Sequence, residues 1–259
     1  MRVTPMAGVA MAGLTAGLMT AATACGSVPS ADLKQQAAVR RHAPAPSPKP
    51  TAPPPRTIDC AHLKCVALTF DDGPGPYTAH LLDVLRGAGA RATFFMLGEN
   101  VGAHRAEVRR MVLEGHQLGN HTWSHPVLTE LSSGAVRSEV RRTQKAIRDA
   151  SGGVTPTLFR PPYGATNARV GRAVGMPEIV WDVDSLDWRY HDVARNVRVG
   201  TREPGKGSVV LFHDIHRTTV QAIPRVLAGL KKRGFTFVTV GELTAGRRLA
   251  AGRTFPAWS

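Results

Sequence analysis

Residues 66–74 read Val-Ala-Leu-Thr-Phe-Asp-Asp-Gly-Pro, and the fold follows from how that stretch is placed. An apolar, β-branched run stops at two adjacent carboxylates, Asp71 and Asp72, on a Gly-Pro turn, which is the pattern of a buried strand with a turn at its end. Comparable runs recur at residues 92–96, 117–120, 158–160, 178–182, 208–212 and 235–239. Helix-like stretches at 79–86, 103–113, 133–150, 167–174, 192–199 and 219–233 lie between or beside them. Gly87, Gly115, Gly152, Gly175, Gly200 and Gly234 follow these stretches as helix stops. Strand and helix alternating in this way predict parallel pairing with crossover helices, in one α/β domain of about seven strands.

The polar residues choose between a barrel and an open sheet. Asp71 and Asp72 follow the first strand, and His121 and His125 the third. Arg160 and Tyr163 close the fourth, Asp184 and Asp187 follow the fifth, and His213 and Asp214 follow the sixth. Five strand ends thus deliver chemistry to one face, as in a barrel whose site sits at the C-terminal ends of its strands. An open doubly wound sheet would concentrate its site at one switch point.

Taken singly, these groups are ambiguous. Asp71-Asp72-Gly73-Pro74 reads equally well as an Asx-type turn. Within a site, its two carboxylates point different ways, so one can bind a metal while the other faces a water. His121 and His125 lie four apart and converge on one ion if the segment is a helical turn. They lack the glutamate of the His-Glu-x-x-His protease signature. With Asp72 they form a His-His-Asp set that leaves coordination positions open.

Together and in order, five segments resemble the motifs of the polysaccharide deacetylases, carbohydrate esterase family four, with its NodB-homology domain. They are Thr69-Phe-Asp-Asp-Gly-Pro74, His121-Thr-Trp-Ser-His125, Arg160-Pro-Pro-Tyr163, Asp184-Ser-Leu-Asp-Trp188 and Leu211-Phe-His213. The resemblance spans about residues 60–245, with no departure at the motif positions. It implies a distorted (β/α) barrel and a divalent-metal hydrolase that removes acetyl groups from glycans. Asp72, His121 and His125 would be the metal ligands, Asp71 the general base and His213 the general acid. Arg160 would position Asp71, and Asp187 would set the protonation of His213. The Tyr163 backbone N–H would help hold the oxyanion, while Trp188 and Leu211 would pocket the acetyl methyl. Zinc suits two imidazoles and a carboxylate, and cobalt, nickel or iron fit the same ligands. The expected substrate is an N-acetylated glycan, peptidoglycan first. Acetylxylan esterase, chitooligosaccharide deacetylase and a non-catalytic wall-binding protein are the alternatives.

The rest of the chain gives the address. Residues 1–24 read as a secretory signal, with Arg2, an apolar stretch from 6 to 22 and small residues before Cys25. Cys25-Gly26-Ser27 resembles the bacterial lipoprotein signal, in which the cysteine is lipidated, although Ala22 stands where that signal usually carries Leu. The other reading is an ordinary secretion signal. Residues 25–57 read as a tether, because 42–57 hold seven prolines and almost no apolar bulk. Residues 58–259 are then the catalytic domain, expected to be exported, monomeric, and either lipid-anchored outside the membrane or secreted. For an exported chain, Cys60 and Cys65 suit a disulfide, with a pair of metal ligands as the other reading.

The chain of 259 residues has 33 Lys+Arg against 19 Asp+Glu, a formal charge of +14. The first 57 residues hold +5 of it and leave +9 on the domain. Arg137, Arg141, Arg142, Lys145 and Arg148 exemplify solvated helix faces. No groove-reading motif or base-stacking platform accompanies the charge, so nucleic acid is not an expected partner. His62, His80, His104, His116 and His191 lack motif context and are expected to be surface or core, and Trp123 and Trp181 core or supporting groups. His216 is expected near the cleft.

Overall fold

The computed structural model describes residues 52–54, 56–247 and 249–256, within a compact unit over residues 50–259. The stretch read as a secretion signal, Cys25 and most of the stretch read as a tether lie outside the described residues. Arg56, inside the stretch read as tether, already docks on the domain, with its guanidinium donating to Glu242 at 2.9 and 2.8 Å.

The strands are β1 (Cys65–Asp71), β2 (Thr93–Met96), β3 (Gln117–Asn120), β4 (Glu178–Ile179), β5 (Val183–Asp184), β6 (Val209–His213), β7 (Thr236–Val238) and β8 (Thr254–Phe255). The helices are α1 (Thr78–Gly87), α2 (Gly98–Val101), α3 (Arg105–Leu113), α4 (Ser133–Ser151), α5 (Ala168–Val174), α6 (Asp187–Tyr190), α7 (Val193–Arg202), α8 (Arg217–Lys232) and α9 (Val240–Leu243). None is long and apolar enough to cross a membrane.

β1 is central, and all its pairings are parallel. β6 runs along one edge from Ala67↔Val209 to Asp71↔His213. On the other edge β2 takes the C-terminal half and β7 the N-terminal half. Every residue of β1 is buried, as a strand covered on both faces requires. Its period-two alternation sorts the two sides. Val66, Leu68 and Phe70 pack outward into the cluster shared with α1, α3 and α8, whereas Cys65 and Ala67 pack inward with Phe95, Ile179 and Val209. Thr69 and Asp71 continue the inward row, so the strand delivers Asp71 to the barrel mouth by register alone.

The expected parallel α/β barrel is present, but it is more distorted than seven regular strands. The fourth expected strand shrinks to bridges from Phe159 to Asn120 and Glu178. The fifth is broken into β4 and β5, and the ring closes through it. Ile179 N–H donates to Phe159 O at 2.7 Å on one side, and Asp182 N–H to Val209 O at 3.2 Å on the other. The break has a chemical cause. The Arg160 guanidinium takes the carbonyls of Ile179 and Val180, and the Asp182 carboxylate takes the Val209 N–H. Side chains thereby occupy groups that a regular ladder would use. Gly200 is not a helix stop. It lies buried inside α7, where a Cβ would stand 2.8 Å from Phe212 Cζ and 3.1 Å from Val226, so glycine lets α7 lie against β6 and α8.

α4 shows local rules working without interference. Ser132 caps it by accepting from Ala135 N–H, and Gly152 ends it in the left-handed region at φ 84°. Cys60 and Cys65 are joined in a disulfide that pins the incoming chain to the start of β1. His116 is a core histidine, accepting from Ala92 N–H and set edge-on against Phe94, and burial pushes it down to about 4.

Candidate active site

Eight of the ten residues given a role from the motifs line one cavity of about 380 Å³ at the C-terminal ends of the strands. They are Asp71, Asp72, His121, His125, Tyr163, Trp188, Leu211 and His213, joined there by Trp181 and Asp184. The other two, Arg160 and Asp187, are fully buried behind it.

Arg160 fills the barrel axis. It is the largest fully buried side chain among the described residues, lying 4.2 Å over the Phe95 ring and donating to Asp71 Oδ1 at 2.7 Å and Thr69 Oγ1 at 2.8 Å. Burial raises the Asp71 carboxyl above its ordinary value, and the charges of Arg160 and His213 work against that rise. Asp187 accepts from His213 Nδ1 and His213 N–H, both at 2.8 Å, from Trp188 N–H at 2.9 Å and from Thr219 Oγ1 at 2.6 Å. Burial opposes charging His213, yet the hydrogen bond and charge of Asp187 outweigh it and hold the imidazole up at about 9. Its Nε2 faces the cavity, 4.0 Å from Asp72 Oδ2.

Asp72, His121 and His125 bring their ligating atoms within 4.8 Å of one another. Asp72 Oδ1 stands 3.5 Å from His121 Nε2 and 3.6 Å from His125 Nε2. His121 Nδ1 lies 2.7 Å from the Arg160 carbonyl, which can only accept, so the ring proton sits on Nδ1 and Nε2 offers a lone pair. Burial pushes this imidazole down to about 3, leaving it neutral. Asp72 Oδ1 is itself buried without a hydrogen-bond partner. An orphaned carboxylate oxygen facing an imidazole lone pair in a buried site is the donor set of a cation, and these residues fit a divalent metal. Asp72→Ala and His121→Ala are therefore expected to lose bound metal almost completely by elemental analysis, with the far-ultraviolet dichroism retained.

The convergence of the two imidazoles does not come from a helical turn. Residues 121–125 form an irregular loop with Thr122 at φ 74° and His125 at φ 59°. Strain of this kind is general at the site. All six non-glycine residues with positive φ among the described residues, Asp72, Thr122, His125, Tyr163, Leu186 and His191, lie in or directly beside the motif loops. Such conformations cost about 1–3 kcal/mol each and persist only where the surroundings hold them.

Apart from Asp214, named at the end of the sixth strand but given no role, the residues that hold the loops are what the sequence reading missed. Asn120 accepts from Thr122 N–H at 2.9 Å and donates to Val140 O at 3.0 Å. Asn100 donates to the Asp72 carbonyl at 2.8 Å. Buried Asp214 accepts from Thr78 Oγ1 and leaves no room for a side chain at Gly73, where a Cβ would stand 2.1 Å from Asp214 Oδ1. Glu139 of α4 accepts from Trp123 N–H at 2.8 Å and Ser124 N–H at 3.0 Å, fastening the loop between the two histidines. The available signal was a carboxylate amid arginines, whose neighbours Arg137, Arg141, Lys145 and Arg148 are indeed exposed. Glu139→Ala is expected to weaken metal binding by about 10–100-fold, the usual effect of losing a group that orients a ligand. Glu139→Gln keeps the acceptor and should keep most of the affinity, both readable by isothermal titration calorimetry.

Comparison with known proteins supports the same reading. The family model described as polysaccharide deacetylase matches residues 59–177, the part that carries the first three motifs. The peptidoglycan-N-acetylglucosamine deacetylase PgdA of Listeria monocytogenes is 43% identical over 196 residues, covering 74% of this chain and 41% of that protein. The peptidoglycan-N-acetylmuramic acid deacetylase PdaC of Bacillus subtilis is 40% identical over 192 residues, again 74% and 41%. The chain thus spans about two fifths of the length of these curated relatives. Among solved structures, the T48 deacetylase with substrate superimposes with a TM-score of 0.75 at 46% identity, covering 76% of this chain and 99% of that one. Identity at that level over an entire solved domain, with all five motifs gathered at one barrel mouth, places the chain in the polysaccharide deacetylase family.

Proposed function

We propose that this chain is an exported, metal-dependent deacetylase that hydrolyses the N-acetyl groups of a GlcNAc-containing glycan, with peptidoglycan as its substrate. One observation carries the reading. A metal-ready Asp72–His121–His125 set is flanked by a buried carboxylate, Asp71, and by an imidazole, His213, held in its charged form. The names of the two relatives supply the substrate class.

An amide is a poor electrophile with a poor leaving group, so both ends of the reaction need help. When bound by Asp72, His121 and His125, a divalent ion, zinc by the donor set, supplies Lewis-acid chemistry toward the acetyl carbonyl and a water. Asp71 accepts the proton of the attacking water, and Arg160 fixes which carboxylate oxygen remains free to do so. The Tyr163 N–H, aimed by the turn that puts this residue at φ 60°, donates to the developing oxyanion. Leu211 and Trp188 line the cavity where the acetyl methyl sits. His213 Nε2–H protonates the departing sugar nitrogen, giving acetate and a free amino sugar. The base must be ionised and the acid protonated at the same pH. The charges of Arg160 and His213 favour the ionised form of Asp71 against its burial, and Asp187 holds the His213 imidazole at about 9.

The test is acetate release by the metal-loaded chain from peptidoglycan, chitooligosaccharide and acetylated xylan in parallel. Peptidoglycan is expected to give the highest kcat/KM. Release from none of the three overturns the proposal, and release from xylan alone makes the chain an esterase.

A further inference from the structure

Three aromatic side chains are strongly exposed among the described residues, Tyr163 at 64%, Trp188 at 48% and Tyr190 at 46%. Tyr163 and Trp188 line the cavity, whereas Tyr190 lies beyond it with no part in the chemistry above. Two guanidiniums lie against its ring, Arg195 with Cζ 4.1 Å and Arg189 with Cζ 5.3 Å from the centroid. Neither has a carboxylate partner within salt-bridge distance among the described residues, and the Arg195 Nε is buried without a hydrogen-bond partner. A row of three histidines joins this corner to the catalytic acid. His191 packs edge-on to His216 at 4.6 Å, and His216 lies 6.0 Å from His213.

The charge here is lopsided. Between Trp188 and Arg217 the chain carries six cationic residues against three acids. Of the acids, Asp214 is buried, Glu203 follows the far end of α7, and Asp192 is engaged in capping α7 through Arg195 N–H. A guanidinium stacked on an aromatic face is held flat while its in-plane N–H groups stay free to fork a carboxylate. Trp188 presents an apolar face suited to the flat side of a sugar ring, while Tyr190 serves as the platform for the guanidiniums. Aromatic face and fixed cation together describe a subsite for a sugar that carries an acid.

Resting on the deacetylase reading, we propose that Arg189 and Arg195, on the Tyr190 corner of the cleft, bind a carboxylate borne by a sugar neighbouring the one that is deacetylated. The substrate class is then a glycan strand whose lactyl carboxylates are free of peptide, rather than a neutral homopolymer. The arginines act in recognition and touch none of the reacting atoms.

The experiment compares kcat/KM on peptide-free peptidoglycan glycan strands with kcat/KM on the same strands after their carboxylates are converted to neutral methylamides. The metal-loaded wild-type chain is expected to prefer the acidic strand by about five- to tenfold, the worth of one or two partly exposed charge-assisted contacts. The preference should shrink at high salt. In the double variant Arg189→Ala, Arg195→Gln the ratio is expected to fall close to one. Lys231→Ala, which removes an exposed charge on α8, is the control and should retain the wild-type ratio. Equal rates on both strands in the wild type, or an equal loss of preference in Lys231→Ala, overturn the proposal while leaving the deacetylase reading intact. Acetate from neither strand overturns both.

Discussion

Asp71→Asn is expected to lower kcat by about 10²–10⁴ while metal still binds, because the variant loses the proton acceptor and keeps Asp72, His121 and His125. The structure adds a second consequence. Arg160 is fully buried, and Asp71 is its only carboxylate partner among the described residues. Neutralising that partner leaves a guanidinium charge in the barrel axis without compensation, a situation that costs about 3–5 kcal/mol when nothing replaces the charge. The asparagine oxygen can still accept from Arg160, so the loss should fall at the low end of that range. Thermal or urea unfolding is therefore expected to show a clear destabilisation alongside the lost turnover. The two effects separate in a double-mutant cycle with Arg160→Met. The pair should be less destabilised than the sum of the single variants, while kcat stays at the Asp71→Asn level. Turnover within a few-fold of wild type in metal-loaded Asp71→Asn would refute the base assignment.

How far the sequence could reveal this arrangement depended on the kind of interaction. Placement of Asp71 needed only the period of a strand: odd positions of β1 face inward, and the fifth strand-end chemistry, at His213, follows from the same rule in β6. Helix limits were legible where a cap is local, as at Ser132 and Gly152. Gly200 misled because a glycine needed for close approach to Phe212 looks the same in sequence as one that ends a helix. The four-residue spacing of His121 and His125 fits a helical turn, the condition under which the sequence alone lets them converge, and the loop is not one. Its actual shape is imposed by the adjoining Asn120 and, from elsewhere in the chain, by Glu139 of α4 and the first N–H groups of α2. The broken strand at 178–184 has the same origin, since Arg160 and Asp182 compete for its backbone partners through tertiary contacts. Motif residues are recognisable from their order, whereas the groups that hold them in strained geometry carry no spacing rule.

That division also explains why the site can hold six non-glycine residues at positive φ. Strain at one loop is stable only if an independent element grips it. α4 grips the histidine loop, the Asn100 segment grips Asp72, and the α6–α8 side grips the fourth and fifth motifs through Asp187. The last of these grips is also the one that sets proton chemistry, which makes it the most informative to break.

Asp187→Asn is accordingly expected to act on pH dependence, rate and stability together. In the wild type, burial alone would pull His213 below its ordinary 6.5, and Asp187 reverses that and holds it at about 9. The catalytic acid is protonated below that value, so the alkaline limb of kcat should lie near pH 9 in the wild type. Without the carboxylate only the burial effect and the more distant Asp71 and Asp72 remain, and the limb should move down by two units or more. At pH 8 a two-unit fall leaves about a tenth of the acid protonated, and kcat should fall by about tenfold or more. The stability effect has a defined sign. A histidine whose folded pKa is raised contributes stability that is fully present below its unfolded value of about 6.5 and is lost as pH rises through about 9. Asp187, held below its ordinary value by His213 and Thr219 despite burial, contributes stability that is present above its unfolded value and is lost as pH falls through its folded one. The gap in unfolding free energy between wild type and Asp187→Asn should therefore be widest from about pH 5 to pH 6.5 and should close on both sides. A residue that merely filled space at this position would lower stability equally at every pH and leave the alkaline limb where it was. Measuring kcat and urea midpoints from pH 5 to pH 10 separates the two, and an unmoved limb would remove Asp187 from the control of His213.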